Sequence, residues 1–116
     1  MNLIQLNKQV SVSGQITVED IAALRDTGIE LLVCNRPDDE DVGQTPFSEI
    51  KQAAESAGLA TDLLAFSSYQ IENEDRDKLV KLIESGQKIH LYCRSGSRSR
   101  RLWRTANKIG CGGHTF

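Results

Sequence analysis

Apolar residues along the chain recur with helical spacing in some windows and in short continuous runs in others. Ile21, Ala22 and Leu24 form a helical stripe that predicts a helix over residues 18–27, with Thr17 as its cap and Gly28 as its stop. Residues 29–34 (Ile-Glu-Leu-Leu-Val-Cys) are an apolar run of strand length, followed by the breaker-rich segment 35–41. Thr45-Pro46 predicts a second helix, with proline at its first position, running to Gly58. Residues 61–66 read as a strand and 67–72 as a loop. Asn73 is the predicted cap of a third helix, with Glu74 and Asp75 in its first turn, a stripe of Leu79, Leu82 and Ile83, and Gly86 as its stop. Residues 88–92 form a strand that runs straight into Cys93. A fourth helix starts near Ser97 and carries Leu102, Trp103 and Ala106.

Strands alternating with helices at this spacing predict an α/β fold: a mainly parallel sheet of roughly four to five strands flanked by helices. In such sheets ligands bind beyond the carboxyl ends of the strands. Both residues 35–41 and residues 93–99 are thereby expected on one rim.

A chain of 116 residues supports one domain with one core. The net charge of −2 gives no overall positive field to attract nucleic acid or an anionic membrane, and neither is expected as a partner. Basic character is local instead: Arg94, Arg98, Arg100, Arg101 and Arg104 fall within eleven residues. No apolar run approaches the roughly 20 residues of a membrane span. The start of the chain also lacks the pattern of a signal peptide. Cysteines at 34, 93 and 111 have no metal-like spacing, and their odd number argues against a disulfide framework. A cytoplasmic protein without cofactor or metal is the expectation. The acidic run 38–41 reads as a solvated loop, His90 as a hydrogen-bonded core histidine, and the tail 110–114 as too sparse for a metal site.

The chemistry concentrates on Cys93-Arg94-Ser95-Gly96-Ser97-Arg98-Ser99. A strand ending in cysteine, a short glycine-containing turn and a helix start aim successive backbone N–H groups at one point, where they hold an anion. The helix N-terminus, Arg94 and Arg98 also favour the thiolate, the nucleophilic form of cysteine. Gly96 allows close backbone approach, Ser95, Ser97 and Ser99 add small donors, and arginine forks onto two oxygens. The alternative for Cys93 is a small buried hydrophobe that merely ends a central strand.

Three stretches together carry a family resemblance: Val12-Ser13-Gly14-Gln15-Ile16-Thr17, Asn35-Arg36-Pro37-Asp38, and Tyr92-Cys93-Arg94-Ser95-Gly96-Ser97-Arg98-Ser99 with Leu102-Trp103. In this order, and over nearly the whole chain, they resemble the phosphatase-like domain of the beta-lactamase-hydrolase-like proteins. That family is similar in fold to dual-specificity and tyrosine phosphatases. The resemblance implies a single phosphatase-like domain over residues 1–116, short of a C-terminal helix with which relatives continue. It implies hydrolysis through a phosphocysteine, with Cys93 as nucleophile and Arg98 clamping the phosphoryl oxygens. The partner is then a phosphorylated small molecule or protein. Asp38 is the candidate general acid, or alternatively the end of a turn after Pro37; Arg36 either adds charge beside the loop or is a surface arginine.

The loop departs from the phosphatase signature. Arg98 lies five residues after Cys93 rather than six, Ser99 takes the sixth place, and Tyr92 stands where a histidine is usual. The shorter loop resembles that of rhodaneses, which carry sulfur as a cysteine persulfide. A sulfurtransferase and a non-catalytic phosphate-binding module therefore stand beside the phosphatase as alternatives. Cys34 ends its strand near the same rim, either close enough to Cys93 for a disulfide or as a buried strand residue facing helices.

Overall fold

The computed structural model describes residues 3–66 and 71–110. Its five strands are β1 (Ile4–Gln5), β2 (Val10–Ser13), β3 (Leu31–Cys34), β4 (Ala60–Leu63) and β5 (Ile89–Tyr92). They form one sheet in the order β1-β2-β5-β3-β4, in which only the β1–β2 pair is antiparallel. The helices are α1 (Ile21–Asp26), α2 (Phe47–Ser56), α3 (Asn73–Glu84) and α4 (Ser97–Gly110). This is the α/β architecture with a mainly parallel five-stranded sheet that the alternating pattern implies.

Helices cover both faces of the sheet, which is why β2, β3 and β5 are buried at every position. Val10, Val12, Leu31, Val33, Ile89 and Leu91 pack with Leu79 of α3 and Leu102 and Ala106 of α4. Leu32, Cys34 and Tyr92 point to the opposite face, against Ile21, Leu24, Ile50 and Ala54 of α1 and α2. The alternation of Leu31, Leu32, Val33 and Cys34 between the two clusters is the two-residue period of a strand covered on both sides.

Several boundaries move. The predicted helix over 18–27 is a 3-10 turn at Val18–Asp20 followed by α1; Asp20 accepts the Thr17 N–H at 2.9 Å. Pro46 is the extended residue before α2 rather than its first residue. Glu72, not Asn73, precedes α3, and its N–H donates to Asp75 across one turn at 3.2 Å. The predicted loop over 67–72 falls largely outside the described residues, as does the tail beyond Gly110. Strands β1 and β2 carry too short an alternation to be read from local pattern. They are set by their neighbours: Val10–Ser13 pairs in register with Ile89–Tyr92.

Candidate active site

Register brings the site together. Ser13, Tyr92 and Cys34 stand side by side as the last residues of β2, β5 and β3. The residues that follow, Gly14, Cys93 and Asn35, therefore leave the sheet at one rim. Backbone bonds continue past the strands: Cys93 N–H donates to Ser13 O (3.4 Å), Asn35 N–H to Tyr92 O (2.8 Å) and Gln15 N–H to Arg94 O (3.2 Å). Two glycines make this approach possible. A side chain at Gly14 would lie 3.0 Å from Arg94 O, and one at Gly96 would press on the Ser13 carbonyl at 3.4 Å. Gly96 also has φ +95°, a conformation that costs other residues about 1–2 kcal/mol.

Cys93 is buried at the mouth of this loop, and the Gly96 N–H donates to its Sγ at 3.1 Å. The turn between Cys93 and Ser97 thus folds back on the sulfur, directly before the 14-residue helix α4. Ser95 and Ser97 are exposed, their hydroxyls 3.0 Å apart. The Arg94 side chain is two-thirds exposed and meets Asp41 through Nε at 3.0 Å.

Two loop residues act elsewhere. Ser99 is buried and donates its hydroxyl to Asn35 Oδ1 (2.8 Å); Asn35 Nδ2 donates onward to Leu64 O (2.9 Å). The hydroxyl expected among the anion donors is instead a strut from α4 to β3 and the end of β4. Arg98 donates to Glu40 through two bonds of 2.9 and 2.8 Å and to Phe66 O at 3.0 Å.

Glu40 and Asp41 overturn the expectation of a solvated acidic loop. Arg36 is almost fully buried, and a buried guanidinium needs neutralisation. Its Nε donates to Glu40 (2.9 Å), its Nη1 to Gln15 Oε1 (2.9 Å) and its Nη2 to Asp41. With each nitrogen held by a protein acceptor, Arg36 organises the rim rather than presenting itself to a ligand. Glu40 joins Arg36 to Arg98, and Asp41 joins Arg36 to Arg94. The Arg98 fork, aided by Arg36, holds the Glu40 carboxyl below its ordinary range, so it is ionised at neutral pH. Gln44 clamps the segment by donating to Pro37 O (2.9 Å) and accepting from Glu40 N–H (3.1 Å). A run of four acids beside five arginines in a chain of net charge −2 was the available signal, but only contact assigns the partners.

Asp38 is exposed, and its carboxylate accepts the N–H of Phe47, the first residue of α2, at 2.9 Å. The structure gives it the role of an anionic cap there rather than a contact with residues 93–99. Cys34 faces α1 and α2 beside Tyr92, and its thiol donates to Arg36 O at 3.2 Å. Burial pushes that thiol's pKa up. Cys34 and Cys93 are both free, and the register sets Cys34 opposite Tyr92 rather than Cys93. The buried-strand reading of Cys34 holds. His90 sits between Ser11 and Ser13, each hydroxyl 2.8 Å from a ring nitrogen, and burial pushes it down to about 4. Among the described residues no cluster of three or more potential metal ligands exists.

This fold is shared with solved phosphatases. A candidate phosphatase from Neisseria meningitidis Z2491 superposes with a TM-score of 0.79 at 31% identity, over 86% of this chain and 72% of that one. P. aeruginosa TpbA, solved with phosphotyrosine, shares the fold at a TM-score of 0.71 and 12% identity, over 98% of this chain and 66% of that one. More particularly, residues 2–109 match the family model of the phosphatase-like domain of beta-lactamase hydrolase-like proteins, and the chain belongs to that family. The Agrobacterium fabrum C58 beta-lactamase hydrolase-like protein is 27% identical over 104 residues, 89% of this chain and 24% of that protein. The chain thus spans about a quarter of the length of the curated relatives it matches.

Proposed function

We propose that the chain is a phosphatase domain that hydrolyses a phosphate monoester through a covalent intermediate on Cys93. The observation that carries this reading is the sulfur itself: Cys93 directly follows the central strand β5, its Sγ accepts the Gly96 N–H, and it precedes the N-terminus of α4. Membership of a phosphatase-like family and the likeness to solved phosphatases support it.

In the first step the Cys93 thiolate attacks phosphorus. The bond to the leaving oxygen breaks, its electron pair stays on that oxygen, and a proton is taken up there. Water then attacks the phosphocysteine. The sulfur–phosphorus pair returns to sulfur, a water proton is released, and inorganic phosphate leaves. Backbone amides of residues 94–99 and the α4 N-terminus hold the phosphoryl oxygens, with Arg94, Ser95 and Ser97 at the open rim. Arg98 supplies its clamp by exchanging Glu40 for the phosphoryl group. Among the described residues Asp38 is held at α2 and Glu40 is ionised, so neither carboxyl stands ready to protonate a leaving group. Esters of acidic alcohols, whose oxygens depart without help, are accordingly the favoured substrates.

The five-residue spacing from Cys93 to Arg98 is the feature that supports a sulfurtransferase instead. Purified protein separates the readings: p-nitrophenyl phosphate is turned over, whereas thiosulfate with cyanide yields no thiocyanate. Thiocyanate formation overturns the phosphatase reading, and turnover of neither substrate assigns a phosphate-binding module.

A further inference from the structure

A groove of about 740 Å³ opens beside the cysteine loop. Arg94, Ser95, Gly96 and Ser97 line it, together with Arg100, Arg101 and Arg104 from α4. Cys93, Arg98 and Ser99 of the cysteine loop do not, so the groove continues outward from the loop proposed to surround the phosphoryl group. Arg100 and Arg104 are one helical turn apart on the same face, and both are exposed. From the rise of a helix they stand about 4.5 and 10.5 Å along the axis from Ser97. The arginines thus form a ladder leading away from the loop.

Four guanidinium groups in one groove are not a by-product of a basic protein, because the chain carries a net charge of −2. Within the groove Arg94 shares Asp41, and among the described residues Arg100 and Arg104 form no ion pair. The counter-charge that Arg100 and Arg104 call for is best supplied by a ligand. Its volume lies in the range of small-molecule sites, about 300–1,000 Å³. Guanidinium forks and serine hydroxyls are phosphate donors.

We propose that this groove receives a second phosphate group of the substrate, so that the substrate class is small molecules bearing two or more phosphates close together. The proposal rests on the reading that the cysteine loop holds one phosphoryl group.

The test is calorimetric binding of tripolyphosphate and of inorganic phosphate to the full chain at fixed ionic strength. It compares Arg100→Ala/Arg104→Ala with Arg25→Ala/Arg76→Ala, a control of equal charge on α1 and α3. Tripolyphosphate affinity is expected to fall at least about tenfold in the groove variant, a loss of roughly 1.4 kcal/mol, and less than about twofold in the control. Arg100→Lys/Arg104→Lys keeps the charge without the fork and is expected to lie between. If the double alanine variant does not fold, Arg104→Ala alone carries the test, with an expected loss of about threefold. Unchanged tripolyphosphate affinity, an equal loss in the control, or a loss seen only with a doubly phosphorylated peptide overturns the proposal. Failure of the underlying phosphatase reading is distinct. It appears as absent p-nitrophenyl phosphate turnover by the wild-type chain, whatever tripolyphosphate does.

Discussion

Arg98 and Glu40 face each other in a forked ion pair, Nη1 2.9 Å from Oε2 and Nη2 2.8 Å from Oε1. A carboxylate offers that fork the same two-oxygen geometry as a phosphoryl group. On the proposed reading, Glu40 competes with an incoming anion for the arginine while neutralising a partly buried guanidinium.

Replacing Glu40 by glutamine removes the competing charge and retains the side-chain shape. Orthovanadate inhibition is expected to tighten by about five- to tenfold, or roughly 1 kcal/mol. Measured inhibition constants at low and moderate salt check this. Weaker inhibition in Glu40→Gln would mean instead that Glu40 aims Arg98 at the ligand.

Cys93→Ser separates attack from binding. Turnover of p-nitrophenyl phosphate is expected to fall at least about 10³-fold, because the hydroxyl is no substitute for a thiolate. Phosphate affinity, read by calorimetry, stays within about threefold because the amides and α4 remain. Arg98→Lys is expected to lower both affinity and turnover, since an ammonium cannot fork. Wild-type turnover in Cys93→Ser would remove the nucleophile assignment.

Asp38→Ala distinguishes a cap from an acid. Loss of the acceptor for the Phe47 N–H is expected to destabilise the fold by about 1 kcal/mol in urea unfolding. Turnover of phenyl phosphate, whose leaving group does benefit from a proton, is expected to stay within about twofold of the wild-type rate. A loss of about 100-fold, together with loss of the basic limb of the pH–rate profile, would make Asp38 the general acid.

Buried His90 makes stability depend on pH. Its folded pKa of about 4 lies below the ordinary 6.5, so protons bind the unfolded chain more readily. The stability contributed by neutral His90 is fully present above pH 6.5 and is lost as pH falls from there through about 4. The whole shift corresponds to roughly 3 kcal/mol. His90→Gln, which preserves an amide between Ser11 and Ser13, is expected to flatten this limb in urea titrations from pH 8 to 4.5. Parallel slopes for the two proteins would contradict it.

What the sequence by itself determined is what depends on neighbouring residues. The apolar runs at 31–34 and 89–92, the helical stripes, and the stops at Gly28, Gly58 and Gly86 follow from local sterics and burial. So does the cysteine loop, whose strand–turn–helix chemistry lies within seven consecutive residues. What only the tertiary structure decided depends on residues distant in the chain. Two strands, β1 and β2, exist because Val10–Ser13 finds Ile89–Tyr92, some eighty residues later. The acids at 40 and 41 change from apparent surface charge to partners of Arg36, Arg94 and Arg98 because register sets the ends of β3 and β5 side by side. Ser99 turns inward for the same reason: as the third residue of α4 it sets its hydroxyl against Asn35. A charged side chain's role follows from which opposite charge shares its low-dielectric surroundings, and that is decided by how strands and helices dock rather than by spacing along the chain.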